Sequence, residues 1–383
     1  MPAGWGERVA AELDAVRAAG RWREVRTLDA TGPVTGTLDG RPVVTFAAND
    51  YLGLTHHPAV VAAAHAALDR WGTGAGASRL VVGGRPVHDE LEAELAAWKG
   101  TEAALLFPTG FAANLGVLAT CGGRDVTILS DELNHASIVD GARLARAGVE
   151  IYAHNDLDHL AKLLGEVEGR ALVVTDSAFS MDGDVADVAG LVEVCAGPGA
   201  LLVLDEAHAV LGPPVDVAGA TAAGVPVLRV GTLSKALGAL GGFVAGPADL
   251  VALVRNRARP FIFTTAPTPA DTAAALAAVR VVRSAEGEAL VARLRGHVDR
   301  VRPGHPTPIV PVVLGEESAA LAAAEALQAE GLLVPAIRPP TVAPKTSRLR
   351  VALSAAHAAD QVERLASALA RLADGGGGGD DPA

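Results

Sequence analysis

Several features are scarce or absent in this 383-residue chain, and each absence narrows what it can be. It has only two cysteines, Cys121 and Cys195, which lack metal-ligand spacing. This argues against a disulfide framework and a metal site, and fits a reducing compartment. The N-terminus has no apolar run of signal-peptide length, and charges interrupt each alanine-rich stretch before it reaches membrane-spanning length. We therefore expect a cytoplasmic protein.

The charge balance is negative, with a formal net charge of −12. This argues against nucleic acid or an anionic membrane as the main partner. Half of the residues are hydrophobic, and the length is sufficient for one large domain and a smaller one. Lysine is rare, because arginine supplies most of the positive charge. The lysines are Lys99, Lys162, Lys235 and Lys345.

Apolar runs alternate with helical patterns through the first two thirds of the chain. Segments 103–107, 171–176 and 200–205 are almost continuously apolar, and the last two end at an aspartate. The spacing of apolar residues over 87–99 is typical of a helix. The alternation predicts an α/β fold with a mostly parallel sheet covered on both faces. Ligands of such sheets bind at the carboxyl ends of the strands.

The two ends of the chain have a different residue pattern. Residues 7–26 are typical of a helix, and Asp39-Gly40 predicts a hairpin turn. Beyond about residue 265 we predict a separate α+β unit with strands at 309–314 and 348–353. The predicted parts are an N-terminal helix and arm over 1–45, a large domain over 46–265, a small domain over 266–373, and a disordered tail over 374–383.

Lys235 lies in a hydroxyl-rich turn that follows the apolar run 227–230. A lysine three residues after Thr232 can form a Schiff base with an aldehyde cofactor, while hydroxyls and backbone N–H groups bind a phosphate. The alternative is a surface lysine in a loop, because such short strings are common.

The four residues 205–208, Asp-Glu-Ala-His, end a predicted buried strand. The Asp205 carboxylate could pair with a protonated pyridine nitrogen and keep it charged. His208 could donate a hydrogen bond to a phenolate oxygen on the same ring. The same four letters occur in an ATPase metal-binding motif, but the chain lacks the glycine-rich G-K-[ST] loop that a triphosphate needs.

Three weaker signals point to the same chemistry. The turn at 108–114 joins a strand to a helix whose free N–H groups could bind a phosphate, although most such turns bind nothing. His135 could stack on a cofactor ring, or simply cap a helix. Arg348 and Arg350 share one face of a strand, where a bidentate arginine suits a substrate carboxylate. Both could equally be surface arginines.

Together these segments resemble the α-oxoamine synthases, pyridoxal-phosphate enzymes that condense an amino acid with an acyl thioester and release CO2. The resemblance extends from the N-terminal helix to about residue 372. The matching segments occur in the family's order: 49–54, 74–81, 88–92, 109–114, 135–137, 179–184, 205–208, Lys235 and 338–342.

The resemblance implies a fold-type I pyridoxal-phosphate transferase, with a mostly parallel seven-stranded sheet and a smaller C-terminal α+β domain. It implies catalytic roles for Lys235, His135 and Asp205, small-molecule substrates, and a homodimer. The implied pyridoxal 5'-phosphate contacts are Gly110, Phe111, His135, Ser180, Asp205, His208, Thr232 and Lys235. The implied substrate contacts are Arg23, Arg338, Thr341 and Arg350.

Segments 78–81, 179–182 and 338–342 are most similar to the biotin-pathway branch, which condenses L-alanine with pimeloyl-CoA or a pimeloyl-carrier protein. Other activities stay open: glycine C-acetylation, 5-aminolevulinate synthesis, sphingoid-base synthesis, a natural-product synthase, or a cofactor-binding regulatory protein without turnover. The chain departs from the family pattern at Val82, Ala209 and Pro213-Pro214, which affects loop geometry and acyl-chain preference.

Overall fold

The computed structural model describes residues 4–375. Its N-terminal part is a helix followed by a small sheet. The elements are α1 (Trp5–Ala18), β1 (Leu28–Ala30), β2 (Thr35–Leu38) and β3 (Arg41–Thr45). Asp39 and Gly40 have φ of 52° and 76°, the two positive angles of a type I′ turn, so the predicted hairpin is confirmed. The predicted helix end at residue 26 is wrong, because Gly20 adopts a left-handed φ of 64° and turns the chain off the helix axis.

A seven-stranded sheet lies at the centre of the molecule, in the order β4-β10-β9-β8-β7-β5-β6. Its strands are β4 (Ala103–Phe107), β5 (Val126–Asp131), β6 (Gly148–Tyr152), β7 (Arg170–Asp176), β8 (Leu201–Asp205), β9 (Val227–Thr232) and β10 (Gly242–Gly246). Strands β5 to β9 pair in parallel, and β10 is antiparallel to both neighbours. The predicted α/β fold with a mostly parallel sheet is therefore confirmed.

Helices cover both faces of this sheet. They are α2 (Pro58–Trp71), α3 (Pro86–Lys99), α4 (Gly110–Cys121), α5 (Ala136–Leu144), α6 (Leu157–Gly165), α7 (Val188–Ala196), α8 (Val217–Ala222), α9 (Ala248–Arg257) and α10 (Arg259–Ile262). Successive residues of β8 pack on opposite faces: Val203 in the core beneath α4 and α5, Leu202 and Leu204 in the core beneath α6 and α7. This two-sided burial explains the continuous apolar runs in the sequence.

The C-terminal part contains α11 (Pro269–Val282), α12 (Ala285–Val301), β11 (Ile309–Gly315), α13 (Glu317–Ala329), β12 (Leu332–Leu333), β13 (Ala336–Ile337), β14 (Ser347–Ala352) and α14 (Ala359–Gly375). Strands β11, β14 and β13 form an antiparallel sheet, whereas β12 pairs in parallel with β3. The N-terminal and C-terminal parts thus share a sheet, and the domain bounds stay predictions.

Helix α14 includes residues 374 and 375 of the predicted tail, and 376–383 lie outside the described residues. Within 4–375, no helix combines the length and the apolar character needed to cross a bilayer.

His357 links the N-terminal and C-terminal parts. Its ring stacks on Phe46 with centroids 4.2 Å apart, Nε2 donates to the Thr45 carbonyl (3.1 Å), and Nδ1 accepts from the Ser354 N–H (3.0 Å). The ring is buried, and burial lowers the pKa of His357 to about 4. The folded protein therefore holds this imidazole neutral.

We expect His357 to make the protein acid-sensitive. The pKa of His357 is near 6.5 in the unfolded chain and about 4 in the folded protein. The neutral ring therefore contributes fully to the free energy of unfolding above pH 6.5, and this contribution is lost as the pH falls towards 4. Between pH 7 and 5 this loss is about 2 kcal/mol of unfolding free energy. Urea unfolding at both pH values should show a smaller loss in His357→Gln, which can donate to Thr45 but cannot titrate. Equal losses in both proteins would contradict the assignment.

Candidate active site

The carboxyl ends of β4, β7, β8 and β9 surround a cavity of about 210 Å³. This is the edge at which parallel α/β sheets bind ligands. Seven residues predicted from the sequence line this cavity: Gly110, Phe111, His135, Asp205, His208, Thr232 and Lys235. Residues that lie up to 125 positions apart in the chain thus meet in one place (from Gly110 to Lys235).

Lys235 is half-buried in the turn that follows β9, and its Nζ lies 2.9 Å from His208 Nε2. The buried side chains of Leu233 and Leu237 anchor the turn on either side. Burial lowers the pKa of Lys235, and the carboxylates of Asp205 and Asp176 offset part of this shift. A lowered pKa increases the fraction of free amine, the form that acts as nucleophile or base.

Asp205, the last residue of β8, is buried and its carboxylate is held by two donors. Asn114 Nδ2 donates to Oδ2 (2.6 Å) and the Ala207 N–H donates to Oδ1 (2.9 Å). Asn114 also donates to Ser137 Oγ (2.9 Å), which fixes the orientation of its amide. The carboxylate is therefore oriented before any ligand binds.

The two histidines of the cavity are both held by hydrogen bonds. His208 is buried, and its Nδ1 lies 2.6 Å from the Tyr51 hydroxyl. Burial, and then the positive charges of Lys235 and Arg350, hold the pKa of His208 well below its usual value. His135 caps α5 by accepting from the Ser137 N–H (3.2 Å), and its ring lines the cavity as well. Burial also lowers the pKa of His135.

One part of the cavity lining presents donors suited to an anion. The N–H groups of Gly110 and Phe111 open the twelve-residue helix α4 and have no acceptor among residues 4–375. Thr232 Oγ1 and Ser234 Oγ lie 2.7 Å apart beside them. A Cβ on Gly110 would lie 3.2 Å from Thr232 Cβ, so glycine keeps this end open. Helix N-termini of this kind bind phosphate.

These groups fit pyridoxal phosphate. The cofactor has a phosphate, an aldehyde and a ring nitrogen. The cavity offers an anion-binding end, the Lys235 amine and the buried Asp205 carboxylate for them. The described part of the chain contains no group of three or more His, Cys, Asp or Glu side chains that could bind a metal ion.

The remaining predicted site residues lie elsewhere. Ser180 and Thr341 line a second cavity of about 600 Å³, and Arg23 and Arg338 line neither cavity. Arg21, which was not predicted, lines the second cavity in place of Arg23. The segment 19–27 that carries both arginines has no helix to fix which one faces inward.

Arg350 lies between the two cavities. It is buried on β14, and it donates through Nε to the Ser180 carbonyl and through Nη2 to Asn49 Oδ1 (3.2 Å). Arg348 pairs with Asp182 on the same face, while Leu349 points into the core, as the strand pattern predicted. Neither arginine is a solvated surface residue.

Sequence reasoning gave no role to several residues of the site, namely Asn49, Tyr51, Thr109, Asn114, Ser137 and Ser234. Asp176 ends a buried strand as Asp205 does and was expected at this edge of the sheet. It lines the cavity as the register partner of Asp205. Asn114 lies within a matching segment, but no pattern shows that its amide contacts Asp205.

Residues 41–369 match the family described as aminotransferase class I and II. A curated 8-amino-7-oxononanoate synthase from Anaeromyxobacter dehalogenans (strain 2CP-1 / ATCC BAA-258) is 51% identical, covering 95% of each chain. The serine palmitoyltransferase structure of Sphingomonas wittichii has a TM-score of 0.88 at 31% identity, covering 97% of each chain.

Another serine palmitoyltransferase, solved with pyridoxal phosphate, has a TM-score of 0.88 at 29% identity, covering 96% of this chain and 97% of that one. The predicted cofactor and the predicted family resemblance are confirmed. The chain therefore belongs to the class I and II aminotransferase family, as a pyridoxal-phosphate-dependent C-acyltransferase of fold type I.

Proposed function

We propose that the chain condenses L-alanine with pimeloyl-CoA or a pimeloyl-carrier protein, giving 8-amino-7-oxononanoate, CO2 and free thiol for biotin biosynthesis. The observation that carries this proposal is the meeting of Lys235, Asp205 and His208 in one cavity. The relative named for this activity is 51% identical over nearly the whole chain. A serine palmitoyltransferase-like activity is the second candidate, since solved structures of that enzyme match the fold at 31% and 29% identity.

Each predicted cofactor contact has a role in this proposal. Lys235 would hold the cofactor covalently, Asp205 would pair with its ring nitrogen, and His135 would stack on its ring. His208 contacts the phenolate side, as Ser180 is also predicted to do from the second cavity. The N–H groups that open α4 and the Thr232 side chain would bind its phosphate. Bound pyridoxal phosphate supplies an electron-accepting ring that stabilises negative charge at the substrate α-carbon.

The protein's own groups then move the proton and orient the substrates. Lys235 Nζ accepts the α-proton of alanine, and its lowered pKa increases the fraction of free amine that can act as the base. Arg350 binds the alanine carboxylate, and Arg23, Arg338 and Thr341 are predicted to contact the acyl thioester. A bond forms between the α-carbon and the thioester carbonyl carbon, the C–S bond breaks, and the thiol leaves with a proton. The resulting β-keto acid loses CO2 as its C–C bond breaks, and the α-carbon keeps the electron pair and takes up a proton from the solvent.

Thiol release measured with L-alanine and pimeloyl-CoA, beside glycine and serine with short and long acyl thioesters, tests the substrates. We expect alanine with the pimeloyl thioester to give the fastest turnover. The turnover rate of Lys235→Ala should fall by several orders of magnitude, because the substitution removes both the covalent attachment and the base. Lys162→Ala, which changes an exposed lysine of α6, is the matched control and should keep wild-type activity. A preference for serine with long chains would instead support the second candidate.

Asp205→Asn tests the ring-nitrogen pairing without removing the shape of the side chain. Exchange of the alanine α-hydrogen for deuterium, followed by NMR without any acyl thioester, should slow on the order of 100-fold, because an uncharged partner stabilises less negative charge on the ring. Cofactor absorbance should show that the variant still binds pyridoxal phosphate. Exchange at the wild-type rate would remove Asp205 from this role.

The cytoplasmic location of the protein stays a prediction. We also propose that the protein forms a homodimer. Leu80, Val81 and Val82 form an apolar turn in which Val81 and Val82 are each 72% exposed, and Phe263 is 70% exposed. Apolar clusters of this kind mark protein–protein interfaces.

Sedimentation velocity should therefore show a dimer. Val81→Asp with Val82→Asp should shift the protein to monomers, because burying two carboxylates in an interface is costly. Val313→Asp places one such carboxylate at an exposed site on β11 and should leave the dimer intact. A monomeric wild-type protein, or a doubly substituted protein that still dimerises at the wild-type affinity, would contradict the proposed interface.

A further inference from the structure

A cluster of three buried charges lies directly behind the turn that carries Asp205 and His208. Glu206, between these two residues, points away from the cofactor cavity. Arg229 Nε donates to its Oε1 (2.7 Å), and Lys99 Nζ lies 2.7 Å from its Oε2. The exposed fractions of the three side chains are 2% for Glu206, 11% for Arg229 and 12% for Lys99.

The cluster ties three elements together. Lys99 is the last residue of α3, Glu206 follows β8, and Arg229 lies within β9, the strand that leads to Lys235. Arg229 Nη1 also donates to the Lys99 carbonyl (2.6 Å), and Lys99 Nζ lies 4.0 Å from the centre of the Trp98 ring. Three polar contacts and one aromatic contact thus fix the position of the Glu206 carboxylate.

Packing leaves space beside the same turn. A cavity of about 110 Å³ borders it on this side, lined by Lys99 and Glu206, by Ala207 and Ala209 of the turn, and by Thr232 and Ala236 near the cofactor lysine. Larger apolar side chains, such as Trp98 and Phe243, form the rest of the lining. Atoms that face a cavity lose packing contacts on that side. The ionic contacts of Glu206 therefore add to two backbone hydrogen bonds in holding the turn, from the Glu206 N–H to the Val230 carbonyl (2.8 Å) and from the Ala209 N–H to the Glu206 carbonyl (3.1 Å).

Stability alone does not account for such a cluster. Removing three charges from water costs more than their attraction returns in many proteins, and apolar replacements of similar volume are often neutral or stabilising. Burial opposes ionisation, yet the positive charges of Lys99 and Arg229 lower the pKa of Glu206, so the carboxylate stays charged. The cluster lies one residue from Asp205. Orientation of the turn between Asp205 and His208 explains such a cluster better than stability does.

We propose that Glu206, held between Lys99 and Arg229, is a positioning residue that keeps Asp205 and His208 directed into the cofactor cavity. This inference rests on the cofactor-binding roles proposed for Asp205 and His208. Glu206 itself does not line the cofactor cavity and acts through Asp205 and His208.

Lys99→Met tests this directly, because it leaves Glu206 and Arg229 as a neutral pair while Oε2 loses its partner. We expect the Kd for pyridoxal phosphate to rise about tenfold, the order of one charge-assisted hydrogen bond. The pH midpoint of the lysine–cofactor absorbance band should also shift, because Asp205 and His208 no longer hold fixed positions. Lys99→Gln keeps one N–H donor and should give smaller changes in the same direction. It carries the test if the methionine variant does not fold.

Arg295→Met is the matched control. It removes another partly buried cation, which donates to the His305 and Pro306 carbonyls and does not contact the turn. Cofactor affinity and the absorbance midpoint should not change in this variant, even if its urea midpoint falls.

If both Lys99 variants lose stability in urea but keep the wild-type Kd and absorbance midpoint, the cluster is structural only and the inference is wrong. A wild-type protein that binds pyridoxal phosphate without a borohydride-reducible link to Lys235 would instead overturn the proposed function. The two failures are therefore distinguishable.

Discussion

The parallel register of β7, β8 and β9 is the constraint on which the site depends. Asp176 pairs with Asp205, and Asp205 pairs with Val230, so the three strands end at the same edge. In an antiparallel arrangement successive strands would end at opposite edges, and these side chains could not meet. The α/β architecture thus brings together the lysine proposed to hold the cofactor, two carboxylates and a histidine that are far apart in the chain.

Burial at this edge sets the protonation of the groups it gathers. Desolvation lowers the pKa of Lys235 and of His208, and it raises the pKa of Asp176, where the neighbouring Asp205 adds to the effect. Each shift favours the neutral form of the group. The two aspartates also have different donors: Asn114 and the Ala207 N–H donate to Asp205, and the His135 N–H donates to Asp176 (2.8 Å). Two aspartates at equivalent strand ends are therefore oriented by different segments of the chain.

Much of this could be predicted from the sequence because it depends on local patterns. The buried strands appear as apolar runs, the hairpin as Asp39-Gly40, and the site as polar residues directly after strands. What the sequence could not show depends on contacts between distant segments. The pairing of β12 with β3 joins the two ends of the chain. The segment 19–27 lies outside regular structure, so Arg21 and Arg23 could not be told apart by periodicity. Ser180 belongs to a matching segment, yet its loop lies at the second cavity.

A chain of hydrogen bonds joins Arg350 to Lys235, and its donors determine the state of the histidine within it. Arg350 only donates, so Asn49 accepts through Oδ1, and the same oxygen accepts from the Tyr51 hydroxyl (3.0 Å). Tyr51 has then used its single proton, so His208 must carry its own proton on Nδ1 and donate it to the Tyr51 oxygen (2.6 Å). Nε2 of the neutral ring is left as the acceptor for the Lys235 amine (2.9 Å). A neutral acceptor orients the amine without stabilising its charge as a carboxylate would, which agrees with the lowered pKa of Lys235. The arginine proposed to bind the substrate carboxylate is thus linked, through Asn49, Tyr51 and His208, to the lysine proposed to hold the cofactor.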